Sequence, residues 1–440
     1  MGGRDIYRCN DNSRLFSGVS RMIFMTNRIK RTLVLFGTLV LVCFFPGLSL
    51  ADNCLGCHSG WEDDERAPSA LFPTDIHAQA GLGCSDCHGG NPELDDMDDV
   101  RAGKGYRGVP KPKEIPAFCA TCHSDPNYMI KHNPPLATDQ FDKYKTSVHG
   151  KQLLGKGDIK AANCVSCHSV HDIASPQLPA STVYALNIPG TCAKCHSDAA
   201  YMAGYGIPTD QYDDYAKSVH GHALLDKKDI GAPACNDCHG NHGATPPGVT
   251  SISAVCGMCH TLISEEFSKS PHKKAFDEMG YPECEGCHSN HLVLEPQLFW
   301  VGTSDSSLCV NCHSADDGTI ALATAEKMHS SLQELYDAYD RAEEKTDEGD
   351  VKGMMVTDQR FALKEVSQAI IKTRTIIHSF DAEAVAKTTA PGMQAAEKVY
   401  EASVAKIDEY YFRRYGLGIA TLIITFLAVM LFLKIKSVEK

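Results

Sequence analysis

The chain has 440 residues, a formal net charge of −13, and 20 cysteines beside 20 histidines. A charge this negative argues against a protein that binds nucleic acid, because phosphate contacts need a basic surface. The 35 glycines and 21 prolines, with only 8% aromatic residues, favour a loop-rich chain with a small conventional core.

The N-terminal segment predicts export. Residues 27–31 carry three basic side chains and precede the uncharged run 32–50, which ends in Ser49-Leu50-Ala51. This order is typical of a secretory signal peptide, here cleaved after Ala51. A membrane anchor is the alternative interpretation of the apolar run.

Nine copies of Cys-x-x-Cys-His follow, and they use 18 of the 20 cysteines. This motif is the attachment signature of c-type haem. Its two thiols reach the two vinyl groups of one porphyrin, and its histidine lies on the same helical face, under the iron. Zinc sites and disulfides also use Cys-x-x-Cys spacing. Zinc, however, would not require a histidine after every pair, and nine pairs do not divide into four-cysteine sites. We therefore expect nine covalently attached haem c groups.

The predicted thioether cysteines and proximal iron ligands follow directly from the motifs. The cysteines are Cys54, Cys57, Cys84, Cys87, Cys119, Cys122, Cys164, Cys167, Cys192, Cys195, Cys235, Cys238, Cys256, Cys259, Cys284, Cys287, Cys309 and Cys312. The proximal histidines are His58, His88, His123, His168, His196, His239, His260, His288 and His313.

The motifs largely alternate between two kinds, which we call openers and closers. A closer has a second histidine three residues after its proximal histidine, as His171 follows His168, whereas an opener does not. Between each opener and its closer lies a further histidine that all the modules share, which we call the middle histidine. Residues 119–176 and 192–247 are nearly superimposable copies of this arrangement, each with a Ser-Val-His-Gly segment. The sequence therefore predicts an array of two-haem modules.

The first module departs from the pattern, because Asn91 stands where the other closers have their second histidine. A closer's second histidine lies on the wrong side of its own haem, so we expect it to reach a neighbouring iron. His132 and His222 lack a counterpart between the copies and are not expected to be ligands. The remaining histidines equal the irons in number, and these candidate distal ligands are His77, His149, His171, His220, His242, His272, His291, His329 and His378. A polar surface position is the alternative for each, and a methionine, His132 or His222 could replace one of them.

The last two candidates lie beyond the motifs, where residues 320–412 have a helical pattern. His329 shares an apolar face with Leu332, and His378 lies beside Ile377 on another apolar stripe. Because no closer follows the ninth motif, these helices are expected to cover the ninth haem. A core histidine is the alternative for both residues.

The C-terminal end predicts one membrane span. Gly349 and Pro391 are expected to punctuate the helices, so that a third helix runs over 393–412 towards the membrane. Residues 416–433 carry no charge and would form about 27 Å of helix, close to the thickness of a bilayer core. A buried core helix is the alternative. The prediction is a single-pass C-terminal anchor in the cytoplasmic (inner) membrane, with the haem domain in the periplasm.

The predicted fold class is mainly α and irregular loop: a multihaem cytochrome c array of two-haem modules, a C-terminal helical bundle and one transmembrane helix. The predicted segments are the N-terminal extension with its signal peptide, four modules, the ninth haem with the helical domain, and the anchor with a short cytoplasmic tail. Their boundaries are 1–51, 52–110, 111–180, 181–250, 251–300, 301–412 and 413–440.

On these motifs the chain resembles the multihaem cytochrome c family with paired Cys-x-x-Cys-His modules, over residues 52–412. The histidine-bearing helical end is similar to that of the hydroxylamine oxidoreductase, nitrite reductase and tetrahaem cytochrome relatives. The anchored layout resembles haem subunits of periplasm-facing quinol-oxidising complexes. That resemblance implies an integral membrane b-type or quinone-reactive subunit and periplasmic cytochromes as partners, in anaerobic respiration. Two departures are Asn91 and the C-terminal position of the anchor.

Two functions are consistent with these features. The first is an electron conduit between the membrane quinone pool and periplasmic partners, in which two histidines saturate each iron and leave no position for a substrate. The second is a multihaem reductase or oxidase of a small nitrogen or sulfur species, with one open iron at the motif of Cys54 or Cys84. Related nitrite reductases use lysine in place of one proximal histidine, but all nine motifs here end in histidine. The sequence therefore favours an electron-transfer protein or an oxidoreductase subunit over a free-standing enzyme.

Overall fold

The computed structural model describes residues 53–59, 67–94, 96–102, 105–244 and 253–439. The predicted signal peptide, with Cys9 and Cys43, lies outside the described residues. Within them the chain consists of helices joined by loops and contains no β-strand. The predicted mainly α, loop-rich fold class is confirmed.

Each attachment motif forms a short helical turn, which places its two cysteines and its histidine on one side. Seven motifs lie within the helices Asn53–Ser59, Cys84–His88, Ile115–His123, Cys164–His168, Ile188–His196, Cys235–His239 and Cys284–His288. The motif of Cys256 begins at the last residue of the helix Ser253–Cys256, and the motif of Cys309 begins at the first residue of the 3-10 turn Cys309–Asn311.

Closers end differently from the openers at Cys119 and Cys192. The residue after each closer's proximal histidine has a positive φ: 70° at Gly89, 68° at Ser169, 80° at Gly240 and 64° at Ser289. In the two openers, Ser124 and Ser197 keep a negative φ near −100°. The chain thus reverses direction immediately after a closer's proximal histidine. The reversal carries the second histidine away from the closer's own haem position.

Short helices between the motifs carry the middle histidines. They include the three-residue helices Val148–Gly150 and Val219–Gly221, which continue into the π-helical turns Lys151–Lys156 and His222–Asp226. Ile76–Gln79 carries His77, and Pro271–Met279 carries His272. Further short helices between the motifs are Pro68–Leu71, Phe72–Thr74, Met97–Ala102, Pro126–His132, Gln140–Thr146, Ala199–Met202, Gln211–Lys217, Thr261–Lys269 and Leu298–Trp300.

Three long helices form a bundle at the C-terminal end. We call Ala321–Val351, Thr357–Ile376 and Ala382–Val438 the first, second and third bundle helices; the 3-10 turn Ile377–Ser379 follows the second. Leu335 and Val366 are fully buried in the core between them. Leu332 of the stripe predicted with His329 is buried in the bundle, as are Val366 and Ile370 beside the stripe predicted with His378, whereas Ile371 of the latter stripe is exposed.

The third bundle helix is longer than predicted. Pro391 was expected to punctuate the region, but the helix starts at Ala382 and runs through Pro391 for 57 residues. Gly349, by contrast, lies in the last turn of the first bundle helix, which ends two residues later at Val351. Proline removes one helical hydrogen bond, and here close packing of Gly392 against Leu335 and Ala369 keeps the helix continuous.

The end of the third bundle helix is long and apolar enough to cross a membrane. Its most apolar 18-residue window has a mean hydropathy of 2.5, and none of that window is buried against the rest of the protein. It is the one helix with these properties in the part of the chain that the structure describes.

Candidate haem-ligand sites

Eight motif histidines each face one of the predicted distal histidines, ring to ring. All eight pairs have closely similar spacings between the ring centroids. The pairs are His77 with His123 at 5.9 Å, His88 with His171 at 6.2 Å, His149 with His196 at 6.1 Å, His168 with His242 at 6.1 Å, His220 with His260 at 6.2 Å, His239 with His291 at 5.9 Å, His272 with His313 at 5.9 Å and His288 with His378 at 6.1 Å.

This spacing fits one metal ion between two imidazoles. Metal–imidazole bonds of about 2.0–2.1 Å on both sides, with roughly 1.1 Å from each nitrogen to its ring centre, separate the centroids by about 6.2 Å. A stacked aromatic pair in direct contact can come as close as about 4.5 Å. The histidine pairs are thus held apart by about the width that a shared iron requires.

A simple rule describes which histidines face each other: each pair links one module to the next. The middle histidine of a module faces the proximal histidine of the next opener, as His149 faces His196. The proximal histidine of a closer faces the second histidine of the next closer, as His168 faces His242. At the end of the array His378 of the bundle takes the latter role for His288.

The rule accounts for Asn91. The second histidine of a closer serves the preceding module, and no Cys-x-x-Cys-His motif precedes Cys54 in this sequence. A histidine at position 91 would therefore have no closer to serve.

Each middle histidine stands two residues after a capping side chain. Ser147 Oγ accepts a hydrogen bond from Gly150 N at 2.9 Å, and Ser218 Oγ accepts one from Gly221 N at 3.0 Å. Ser270 caps the helix that carries His272. These caps hold the middle histidines in the first turn of a short helix. The glycine of Ser-Val-His-Gly allows the preceding carbonyl, that of Tyr144 in one copy, to pack where a Cβ would lie.

In the first module the cap is Asp75, which also orients the ring of its middle histidine. Its Oδ1 accepts from His77 N and lies 2.8 Å from His77 Nδ1, and its Oδ2 accepts from Ile173 N at 2.7 Å. Burial raises the pKa of Asp75, but these hydrogen bonds outweigh it, and the net pKa lies below its ordinary value. The carboxylate is therefore ionised at neutral pH and directs His77 Nε2 towards His123.

Other ligand candidates are oriented through Nδ1 as well. His88 Nδ1 donates to Gly108 O at 2.8 Å, His313 Nδ1 to Asp317 at 3.0 Å, and His378 Nδ1 to Arg374 O at 3.1 Å. A hydrogen bond at Nδ1 leaves the Nε2 lone pair for a metal.

Burial also keeps many of these rings neutral. Burial, followed by the charge of His378, lowers the pKa of His288 to about 4. Burial is the main cause of the lowered pKa of a further set, namely His123, His149, His168, His196, His220, His242, His272, His291 and His378. A neutral imidazole is the form that binds iron.

The attachment cysteines follow one another closely along the array. Within three modules the first cysteine of the opener lies beside the first cysteine of the closer: Cys119 beside Cys164, Cys192 beside Cys235, and Cys256 beside Cys284. Between modules the closer's second cysteine lies beside the next opener. Cys167 lies beside Cys192 and Cys195. Cys87, Cys238 and Cys287 likewise lie beside the two cysteines of the next opener. The attachment sites therefore run close together from the second motif to the ninth.

The two kinds of pair differ in ring orientation. At the closers the angle between ring planes is 31°, 8°, 10° and 24° for the pairs of His88, His168, His239 and His288. At the openers it is 79°, 61°, 39° and 74° for the pairs of His123, His196, His260 and His313. Closer pairs are thus nearer to parallel and opener pairs more inclined, in alternation along the chain.

His329 is the predicted distal ligand that the structure does not place opposite a motif histidine among the described residues. Its ring lies against Gly302, and its buried Nδ1 has no hydrogen-bond partner there. The ninth motif, which the bundle was expected to serve, has His272 opposite His313. The bundle instead presents His378 to the eighth motif.

The two histidines not expected to be ligands have other neighbours. His222 Nδ1 lies 2.6 Å from Asp226, on an exposed surface. The ring of His132 stacks on Tyr128 with 4.4 Å between centroids.

Comparison with known families agrees with this geometry. Residues 76–197 match the family model described as cytochrome c3, and residues 276–318 match the model described as a doubled CXXCH motif. The chain is a multihaem c-type cytochrome. This cytochrome carries covalently bound haem c, and the two matched regions include both opener and closer motifs. No curated protein and no solved structure matches the chain.

Sequence reasoning about this cytochrome missed the rule that links the modules. Two regularities of the sequence were signals of that rule. A capping Asp or Ser stands two residues before every middle histidine, and only the first closer lacks a second histidine. Which iron each histidine faces depends on the reversal after the closer motif, and that reversal is a backbone feature.

Proposed function

We propose that the protein is a membrane-anchored periplasmic cytochrome with nine haem c groups that carries electrons between the membrane quinone pool and periplasmic redox partners. The observation that carries this proposal is the set of eight facing histidine pairs, each joining one module to the next. Two histidines on one iron leave no position for a substrate. Haem supplies reversible one-electron chemistry at each site, and the chain's residues attach, ligate and space the groups.

In this proposal the eight pairs are the axial ligands of the second to the ninth haem. Contacts between the cysteines of successive motifs support an unbroken series over those sites. The apolar end of the third bundle helix is the anchor, and the predicted signal peptide directs the haem domain to the periplasm. An integral membrane b-type or quinone-reactive subunit is the proposed partner at the membrane, in anaerobic respiration.

Ligand substitution tests the assignment. His378→Ala in the full-length holoprotein should convert one haem from low spin to high spin, with carbon monoxide binding to the reduced iron. His222→Ala is the matched control, because His222 pairs with Asp226 and faces no motif histidine in the described part of the chain. His329→Ala should also leave the low-spin spectrum unchanged. A low-spin spectrum preserved in His378→Ala would contradict the assignment.

The alternative function is a multihaem reductase or oxidase with one open iron. His171 faces His88, so the motif of Cys84 has the geometry of a saturated iron, and the motif of Cys54 remains the place to look. Electron paramagnetic resonance of the oxidised wild-type protein separates the two functions. Only low-spin signals support the conduit. A high-spin signal together with turnover of nitrite or hydroxylamine would replace it with the enzyme.

A further inference from the structure

The loop between the first two bundle helices lies level with the start of the proposed membrane anchor. The first and third bundle helices run side by side in the same direction, and facing positions differ by 57 in both contacts that follow. Leu335 Cδ1 lies 2.9 Å from where a Cβ on Gly392 would be, and Thr346 Oγ1 lies 2.9 Å from Ser403 Oγ. At the loop, Lys352 Nζ stands 5.5 Å from the ring centre of Tyr410 and 5.3 Å from that of Tyr411.

This loop exposes apolar side chains. Val351 is 88% exposed and Met355 80% exposed, on either side of Lys352. Gly353, with φ of 75°, makes the turn, and the buried Val356 closes the hairpin. We call Val351, Lys352 and Met355 the hairpin tip. Large apolar side chains this exposed at the end of a hairpin are unfavourable in water.

Three acidic side chains near the tip form ion pairs within the bundle. Arg360 forms ion pairs with Asp347 at 3.1 Å and with Asp350 at 2.6 Å. Glu348 accepts from Lys345 at 2.7 Å and lies 3.4 Å from Lys352. These ion pairs reduce the repulsion from anionic lipid headgroups at this end of the bundle.

The segment beside the tip has the composition of a membrane interface. Tyr411, Phe412 and Tyr415 are exposed, and Arg413 and Arg414 lie among them. Tyrosine and arginine concentrate at the level of lipid headgroups. Five residues separate Tyr411 from Gly416, where the uncharged run begins. That is a rise of about 7.5 Å, within the roughly 5–8 Å of headgroup layer on each side of a bilayer.

We propose that the hairpin tip inserts into the lipid headgroup layer beside Tyr410 and Tyr411, so that the bundle stands upright on the membrane at two points. This inference rests on the membrane anchoring proposed above. Apolar side chains at the tip leave water, and Lys352 keeps its ammonium among the phosphates.

If the bundle stands upright, its length sets the distance between the lipid and the end of the haem array that contacts the bundle. Thirty residues of continuous helix separate Tyr411 from Asp381, the N-cap of the third bundle helix, or about 45 Å. His378, which faces His288, lies at that far end. Two hydrogen bonds between the array and the bundle lie at the same end. Thr303 Oγ1 donates to Glu326 at 2.7 Å, and Arg374 donates to Pro296 O at 3.4 Å. Electrons do not tunnel over 45 Å, so a partner that reaches this end of the array must extend that far above the membrane.

Site-directed spin labelling of the full-length holoprotein in phosphatidylcholine–phosphatidylglycerol nanodiscs tests the tip. Labels at Val351→Cys and Met355→Cys should report a depth in the headgroup layer, from relative accessibility to oxygen and to a water-soluble nickel complex. Ile371→Cys is the matched control, because Ile371 is 62% exposed but lies about 21 Å along the second bundle helix from Thr357. The label at position 371 should report an aqueous environment. Unchanged helical circular dichroism and haem absorption show that each variant folds.

A fourth label separates failure of the tip from failure of the anchor. Ile423→Cys lies in the uncharged run and should report the bilayer interior. If it does, while positions 351 and 355 match position 371 in water accessibility, the tip proposal is wrong and the anchor remains. If position 423 also reports water, the proposed anchoring itself fails, and the tip proposal fails with it.

Discussion

Two serines in the array adopt a backbone conformation that only glycine adopts without strain. Ser169 has φ 68° and ψ −172°, and Ser289 has φ 64° and ψ −178°. The equivalent positions in the other closers are Gly89 and Gly240. Such a conformation costs of order 1–3 kcal/mol at a residue with a side chain. It persists here because the reversal directs the closer's second histidine to the preceding module.

This strain predicts opposite effects of two substitutions. Ser289→Gly should raise the free energy of unfolding of the holoprotein by about 1 kcal/mol, because strain is relieved at a smaller cost in chain entropy. Gly240→Ser should lower it by a similar amount. A Cβ at Gly240 would meet its nearest neighbour, Gly243 O, at 3.7 Å, so the effect is conformational rather than a clash.

Denaturant unfolding followed by circular dichroism measures both changes. Gly89→Ser serves as a contrast, because its Cβ would overlap the carbonyl of Gly105, and the loss should be larger than at Gly240. A destabilised Ser289→Gly variant would show that the serine conformation carries no strain.

At the scale of elements, the module determines how two facing histidine rings are oriented. The middle histidines lie in the first turn of short capped helices, and their pairs are inclined by 39° to 79°. The second histidines of the closers, and His378 in the bundle, give angles of 8° to 31°. Two parallel imidazole rings donate to the same one of the two iron d orbitals of π symmetry, so these two orbitals separate in energy. Inclined rings donate to both orbitals and leave them close in energy.

Two families of low-spin electron paramagnetic resonance signals are therefore expected, about equal in intensity. The opener irons should show the larger g anisotropy and the closer irons the more rhombic signal. His149→Ala should reduce only the first family, and His242→Ala only the second, in otherwise identical holoprotein. Loss from the same family in both variants would contradict the assignment of ring orientation to module position.

Whole-molecule packing is divided unevenly between the haem array and the bundle. The two apolar core clusters found among the described residues both lie in the bundle, around Leu335 and Val366 and around Ala342 and Leu363. In the array the buried apolar side chains are scattered, such as Leu153 and Leu224. Covalently bound porphyrins would supply the apolar groups around which the array packs.

Removal of haem should therefore separate the two parts. In a chain produced without haem attachment, the array should be unfolded, and the bundle should keep its helical structure through its own core. Limited trypsin digestion with mass spectrometry should give a protected fragment over roughly residues 320–412, and rapid cleavage within 105–244. Equal protection of both regions would show that the array folds without its haem groups.

What the sequence determined by itself is local chemistry. Cys-x-x-Cys-His motifs need only one helical turn to bring their three side chains together, so the haem attachment sites and the mainly α fold follow from spacing. The apolar stripes and the uncharged terminal run likewise predict the bundle helices and the long apolar end of the third. Pro391 was misleading, because tertiary packing in the bundle outweighs its local effect on the helix.

Tertiary structure decided which histidines meet. His378 and His329 look equivalent in sequence, since each stands on an apolar helical face near the end of the chain. The fold brings His378 to His288 and places His329 against Gly302. Pairing joins residues up to 90 positions apart, and it depends on the reversal after each closer and on the docking of the bundle. Local periodicity does not encode either of these, because both are set by packing between distant parts of the chain.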